Sequence, residues 1–146
     1  MIIALSSPAM KDHAMSTRPL FILVCSHEHE KIQMAAMMAA VAAVSETPVR
    51  VFVSMGAIYA FQKDLSDDER YQGGRFSDVL KDKKAPDAMA LFEQGKTLGD
   101  MTIHACSMAL DVLGWQEGDL VADLFDGALG LTKYLSDAEQ GQLVTL

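Results

Sequence analysis

A single cysteine stands where a short apolar stretch gives way to a helical pattern. Residues 101–105 are typical of an apolar strand, and residues 108–113 of a helix that ends at Gly114, since glycine is favoured just past a helix end. Cys106 is therefore predicted at the turn between them. The first N–H groups of a helix lack partners and its dipole is positive there, and both effects favour a thiolate over a thiol. This spacing points to nucleophilic sulfur chemistry at Cys106.

A buried structural role is the alternative for Cys106. Free cysteine is among the most buried residue types, and a cysteine between an apolar strand and a helix is often a small core residue. Reactivity requires exposure as well as a favourable dipole. Spacing alone therefore leaves both roles open.

Three further residues are accessory candidates around this cysteine. His104 alternates with Cys106 along the predicted strand, where an imidazolium would stabilise a nearby thiolate, and Ser107 follows Cys106 directly. Cys25 ends the first predicted strand. Three roles are open for it: a resolving thiol, a sulfur acceptor or a buried structural thiol. The first two roles require the two sulfur atoms to reach bonding geometry, with Cα atoms no more than about 7 Å apart.

The polar run at residues 26–30 contains His27 and His29. Two histidines two positions apart point to different faces of a helix, whereas helical zinc pairs are three or four apart. We therefore predict no metal site, and we assign His27 to a polar rim near the reactive cysteine. Because the chain has neither a glycine-rich loop after its first strand nor a Gly-x-Ser-x-Gly elbow, we also predict no bound cofactor.

The order of the elements predicts an α/β fold. Residues 19–25 and 49–54 are apolar runs, which suit parallel strands covered on both faces. Further strands are predicted at residues 120–124 and 142–146, in addition to the one that ends near Cys106. Since strands alternate with helices, we expect a three-layer α/β/α sandwich with a mainly parallel sheet of about five strands.

Ligands of such sheets bind beyond the carboxyl ends of the strands. Four residues are predicted at or just past these ends, so the fold itself brings Cys106 to the edge where function is expected. These residues are Cys25, Ser54, Cys106 and Phe125.

A long helix rich in alanine and methionine is predicted from its capping residue Ser26 to about Ser45. Residues 34–44 are apolar on every side, and a helix that is apolar all round is buried all round. A second copy of the chain would cover the outer side, so we expect a homo-oligomer. The alternative is a surface helix whose outer side is alanine, the best helix former.

Mixed charge and paired glycines mark residues 63–84. This composition predicts a solvated loop, either a lid over the site or a plain insertion. A helix should follow from Pro86 to Lys96, and another is predicted at residues 127–136.

Length and composition limit the class of protein. A chain of 146 residues suits one domain, which we place at residues 16–146 after a poorly structured segment of residues 1–15. A net charge of −8 disfavours nucleic acid as a partner. Two cysteines do not make a secreted disulfide framework, so we expect a cytoplasmic protein. No apolar run reaches the roughly 18 to 20 residues of a membrane span.

The segment from residue 104 to 114 resembles the DsrE/DsrF-like family of sulfur-relay proteins. The resemblance continues through residues 119–121 and 127–135 and extends loosely over the first strand and helix, whereas residues 63–84 do not obviously match. The family motif is a cysteine, a small residue, methionine, a small residue, an apolar residue, aspartate, two apolar residues and glycine. The matching residues include Cys106, Met108, Asp111 and Gly114.

The resemblance implies a function for this cysteine. In that family a cysteine at the position of Cys106 carries sulfane sulfur as a persulfide, so we expect a sulfurtransferase-like carrier that exchanges sulfur with donor and acceptor proteins. The alternative is a non-catalytic interaction subunit of a relay complex, because some family members lack the sulfur-bearing cysteine. A thiol peroxidase is a weaker third hypothesis, since the chain contains no Thr-x-x-Cys pattern.

Overall fold

Five parallel strands form one sheet in the computed structural model, which describes residues 18–146. The predicted N-terminal segment of residues 1–15 lies outside the described range. The strand order across the sheet is β4-β3-β2-β1-β5. The strands are β1 (Leu20–Val24), β2 (Val49–Val53), β3 (Met101–Cys106), β4 (Ala128–Leu129) and β5 (Gln142–Thr145).

Helices connect the strands and cover both faces of the sheet. The helices α1 and α4 pack side by side on one face, and α6 lies against the other. The predicted three-layer α/β/α sandwich is therefore confirmed. The helices are α1 (His29–Val44), α2 (Asp67–Arg70), α3 (Arg75–Asp82), α4 (Ala88–Leu98), α5 (Ser107–Leu113) and α6 (Leu131–Ala138), with 3-10 segments at Met55–Phe61 and Glu117–Asp119.

Apolar side chains in register across the central strands form the core. Ile22 pairs with Val51, and Val51 pairs with Ile103, and each is at most 1% exposed. Burial of each such side chain contributes roughly 1.5–3 kcal/mol. On the opposite face the ring of Tyr134 from α6 stacks on Phe52, with ring centroids 4.7 Å apart. Both faces of the sheet are thus covered, as its continuous apolar strands predict.

The helix α1 has one alanine side and one side of large apolar residues. Its alanines face the core and let α4 approach so closely that a Cβ at Gly99 would overlap the backbone of Ala43. The outer side is not alanine, so the alternative of an alanine-covered surface helix is wrong. The large residues on that side are between 44% and 67% exposed, and they are Met34, Met37, Val41 and Val44.

Three local predictions are wrong. The helix α1 begins at His29, and Glu28 precedes it as the N-cap without a side-chain bond. The hydroxyl of Ser26 instead accepts a hydrogen bond from the N–H of Glu28 at 3.1 Å, and so shapes the loop rather than capping the helix. The other two are the predicted strand at residues 120–124 and the predicted helix start at residue 127, and both errors have one cause.

The fourth strand lies later in the chain than predicted. Leu120 and Leu124 are buried, which produced the strand-like pattern, but Asp123 between them has a left-handed φ of 61° and turns the chain. Leu120 makes only an isolated bridge to Gln62. The true β4 has two residues, too few for a recognisable pattern, and it delays the start of α6 to Leu131. Phe125 therefore does not end a strand.

The charged segment of residues 63–84 is not the predicted solvated loop. It folds into α2 and α3, and α2 starts with a capping box between Ser66 and Glu69. Arg70 is only 9% exposed. Its guanidinium donates to carbonyls of the 3-10 segment at Met55–Phe61 and of the loop that follows it, because a buried cation requires such acceptors. The distances are 2.8 Å to Ala60, 2.6 Å to Gln62 and 3.4 Å to Leu65.

Arg70→Met should destabilise the protein by about 3 kcal/mol, because buried carbonyls lose a charged donor. The exposed Arg75 provides the matched control, and Arg75→Met should change the stability by no more than about 0.5 kcal/mol. Urea unfolding followed by circular dichroism measures both. Equal midpoints for the two variants would show that Arg70 does not hold this segment in place.

Candidate functional site

Cys106 lies at the turn from β3 to α5, as the sequence predicts. It is the last residue of β3, pairs with Leu129 of β4, and precedes the first helical residue Ser107. The helix ends at Gly114, whose φ of 70° is the left-handed conformation that glycine adopts most easily. The thiol is free but only 3% exposed, and its sulfur makes no capping hydrogen bond to α5.

Cys25, Ser54 and Cys106 follow one another across the carboxyl edge of the sheet. The residues before them, Val24, Val53 and Ala105, are in register. Since β2 lies between β1 and β3, the Cα atoms of the two cysteines are about two strand spacings apart, roughly 9.6 Å. A disulfide requires a separation of no more than about 7 Å. Cys25 therefore cannot resolve Cys106 without movement of the backbone.

His104 is the accessory candidate that the structure brings onto the same sheet face as Cys106. The two residues are separated by one strand position, which gives a Cα spacing of roughly 6.6 Å in a parallel strand. His104 is half-buried and lines a cavity of about 210 Å³ with Tyr134 and Leu129. Ser107, also half-buried, begins α5.

His27 lies against the 3-10 segment at Met55–Phe61. Its Nε2 lies 3.3 Å from the carbonyl oxygen of Arg70, and its ring centroid is 5.8 Å from that of Tyr59. His29, two residues later, points elsewhere and bonds to Ser77. Within residues 18–146 no three His, Cys, Asp or Glu side chains are grouped so as to hold a metal ion.

An apolar groove of about 300 Å³ runs between the 3-10 segment and α5. Met55 and Met108 are each at least half exposed on its walls, and Val112 is 76% exposed. Met55 has a φ of 49°, an unusual left-handed conformation for a residue other than glycine. Such conformations cluster at functional sites. The groove therefore gives the cysteine edge of the sheet an exposed, methionine-rich surface.

Sequence reasoning missed a buried polar network centred on His29. Nδ1 of His29 lies 2.7 Å from Oγ of Ser77, and its ring stacks on Tyr71 with centroids 4.6 Å apart. The Tyr71 hydroxyl donates to Asp87 at 2.5 Å, and burial raises the pKa of Tyr71. These residues come from four separate segments, so no local pattern could have revealed the network.

Burial also lowers the pKa of His29 below its ordinary value of 6.5. The positive charge of Lys81 acts in the same direction, whereas Asp87 opposes it. His29 is therefore neutral in the folded protein at neutral pH, and it is a hydrogen-bonding group of the network rather than a cation.

The fold and the site define an α/β protein with one buried cysteine at the carboxyl edge of a parallel sheet. The model of the DsrE/DsrF/DrsH-like family matches residues 63–146. Because this match covers more than half of the chain, the protein belongs to that family. The match includes the charged segment of residues 63–84, so the expectation that this segment falls outside the family pattern is wrong.

A solved structure shares the fold. A protein of unknown function from Methanobacterium thermoautotrophicum, MTH1491, superposes with a TM-score of 0.56 at 13% sequence identity. The similarity covers 89% of this chain and 99% of that chain. No curated protein matches the chain. Among the described residues, no helix is long and apolar enough to cross a membrane.

The lowered pKa of His29 predicts a dependence of stability on pH. As the pH falls below about 6.5, the unfolded state binds a proton that the folded state resists, so the free energy of unfolding should fall. His29→Phe retains an aromatic ring against Tyr71 and should make the decline between pH 7 and pH 5 shallower. Urea unfolding at several pH values measures the slope, and His27→Phe is the histidine-removal control. An unchanged slope in His29→Phe would contradict the assignment.

Proposed function

We propose that this protein carries sulfane sulfur as a persulfide on Cys106 and passes it to a partner thiol. The observation that carries the proposal is the position of Cys106, at the carboxyl edge of the sheet and directly before a helix. Membership of the DsrE/DsrF/DrsH-like family supports a link to sulfur relay. The expected sequence motif, including Met108, Asp111 and Gly114, follows the cysteine within the matched residues.

Sulfur loading is a thiol–disulfide type of exchange. The thiolate of Cys106 attacks the outer, sulfane sulfur of a donor persulfide, the donor S–S bond breaks, and the donor leaves as a thiolate that takes up a proton. Cys106 then holds one additional sulfur atom. In the second step an acceptor thiolate attacks that outer sulfur, a new S–S bond forms on the acceptor, and Cys106 returns as a thiolate. No external oxidant or reductant is consumed.

The residues around Cys106 supply charge stabilisation. The first N–H groups of α5 have no intrahelical partner, and the sulfur makes no capping bond to them. They are thus available to an anionic sulfur once it moves toward the helix. His104 on the same face is the proposed cationic or proton-donating neighbour, and Ser107 is the proposed hydroxyl donor.

Access to Cys106 requires local opening, because the thiol is only 3% exposed. The helix α5 has seven residues, and Met108 and Val112 on it face solvent. Short elements with few buried contacts open at a fraction of the global free energy of unfolding. We propose that α5 moves when a donor or acceptor docks on the neighbouring groove, so that partner proteins gain access to a sulfur that is otherwise protected.

The burial of Cys106 also favours a second candidate function. A thiol that never becomes accessible would leave the chain as a non-catalytic interaction subunit of a sulfur-relay complex. The two candidates differ in one property, the ability of the native protein to take up sulfur.

We further propose a homo-oligomer formed through the outer side of α1. Four large apolar residues lie exposed in one stripe along this helix, and contiguous apolar patches of this kind mark interaction sites. The same stripe on a second copy of the chain would cover them. Both cysteines are free, which fits the reducing cytoplasm as the proposed location.

Incubation with inorganic polysulfide should add one sulfur atom to the native protein, and dithiothreitol should remove it. Small polysulfide anions are the first choice of donor, because they need less opening of α5 than a protein persulfide. Intact-mass spectrometry measures the adduct in the wild type, in Cys106→Ser and in the matched Cys25→Ser variant.

We expect the adduct in the wild type and in Cys25→Ser, and none in Cys106→Ser. An adduct that survives in Cys106→Ser but disappears in Cys25→Ser would place the sulfur on Cys25 and contradict the proposal. No adduct on folded wild type, together with one on urea-unfolded protein, would favour the interaction-subunit function.

The oligomer should dissociate when charge is placed on the exposed stripe. Val41→Asp puts a carboxylate in the centre of that stripe, and a desolvated charge opposes association. Multi-angle light scattering should show a smaller mass than for the wild type, whereas Val112→Asp, on α5, is the matched control and should retain the oligomer. A monomeric wild type would contradict this part of the proposal.

A further inference from the structure

Another cavity, of about 320 Å³, lies where α1, α2 and α3 meet the loop before α4. This volume is at the lower end of the range of small-molecule sites, about 300–1,000 Å³. Neither Cys106 nor any of its neighbours on the sheet edge lines it. The cavity is therefore separate from the proposed sulfur site, and the argument for a ligand there does not depend on sulfur chemistry.

Two polar side chains in its wall are more than nine-tenths buried. His29 is 4% exposed and Gln33 is 5% exposed. They lie four positions apart on α1, and such residues share one face of a helix. Buried polar groups of this kind normally have partners for all their polar atoms.

Each of these side chains uses one polar atom within the protein and leaves another to the cavity. The amide nitrogen of Gln33 donates to the carbonyl of Pro86 at 2.9 Å, which leaves Oε1 as an acceptor without a partner among the described residues. The Ser77 hydroxyl lies 2.7 Å from Nδ1 of His29, and we assign it as the donor because it has no other acceptor within residues 18–146. Nε2 of the neutral imidazole then carries the proton and is a free donor.

Neither atom is sealed away from solvent, because within residues 18–146 every fully buried side-chain nitrogen and oxygen has a partner. Both residues line this cavity, and Gln33 also lines the neighbouring cavity beside α1. Because apolar side chains make up most of the lining of that neighbour, the polar cavity is the one that offers partners to Nε2 of His29 and Oε1 of Gln33. Together they present one donor and one acceptor to whatever enters.

Charges of both signs surround this donor and acceptor. Two lysines and three aspartates line the cavity, and Lys81 is 3.4 Å from Asp68. Lys84 and Asp67 form no ion pair within the described part of the chain. A free cation and a free carboxylate thus remain available at the rim.

We propose that this cavity binds a small zwitterion of the α-amino acid type. The carboxylate of the ligand would meet Lys84 and the Nε2–H of His29, and its ammonium group would meet Asp67 and Oε1 of Gln33. A simple anion would leave Asp67 and Oε1 unmatched. A simple cation would leave Lys84 and the imidazole donor unmatched. Only a ligand with both charges satisfies the two sets of groups together.

Isothermal titration of the full chain with glycine, serine and glutamate tests the proposal. These amino acids carry no thiol, so no reaction at Cys106 contributes to the heat. At least one should bind with a saturable isotherm, whereas sodium sulfate, the anion probe, and putrescine, the cation probe, should not. Saturable binding of sulfate or putrescine without any amino acid would overturn the proposal, and so would no binding of any amino acid at millimolar concentration.

Two variants locate the binding. Gln33→Leu removes the acceptor and should weaken the bound amino acid about tenfold or more. Lys84→Ala alters an exposed position, so it should fold normally and weaken binding about threefold. Lys83→Ala changes the neighbouring lysine, which does not line the cavity, and should leave the affinity unchanged. Equal affinity in wild type and Lys84→Ala would place the ligand elsewhere, even if Gln33→Leu does not fold.

Discussion

The parallel register of β1, β2 and β3 is the constraint on which the rest of the molecule depends. It aligns Val24, Val53 and Ala105, so the residues that follow them emerge together at one edge. The same register places β2 between the two cysteines and separates them by about two strand spacings. The edge therefore carries two free thiols that are too far apart to form a disulfide without movement of the backbone. The proposed chemistry at this edge is accordingly exchange of sulfur between Cys106 and another molecule.

The predictable parts of the fold were those with long, continuous patterns. The apolar runs of β1 and β2 are predicted by residue type alone, and the turn at Cys106 is marked on its far side by Gly114. The two-residue β4 is too short to leave a pattern. The apolar residues Leu120 and Leu124 produced a strand-like sequence pattern instead, because loop residues that pack on a core are as apolar as strand residues.

The charge composition of residues 63–84 produced the wrong prediction of a solvated loop. A surface loop and a docked pair of short helices can have the same composition, and the difference lies in whether the backbone provides acceptors for a buried cation. Here the carbonyls that surround Arg70 do so. Because these acceptors come from residues before the helix, only the folded chain reveals them. The same segment contributes Tyr71 and Ser77 to the network around His29, so the polar cavity also could not be predicted from local sequence.

In the proposed function, burial of Cys106 shields its sulfur from bulk solvent, and a donor or acceptor reaches the sulfur only when α5 opens. The most direct test is single-turnover transfer: protein loaded with sulfur is freed of donor, mixed with reduced glutathione, and followed by intact mass. The account predicts that the native protein loses one sulfur atom as glutathione persulfide forms in equal amount, and that Cys106 returns to the free thiol. Sulfur that remains on the protein until urea unfolds it would contradict the account, because a carrier must release its sulfur from the folded state.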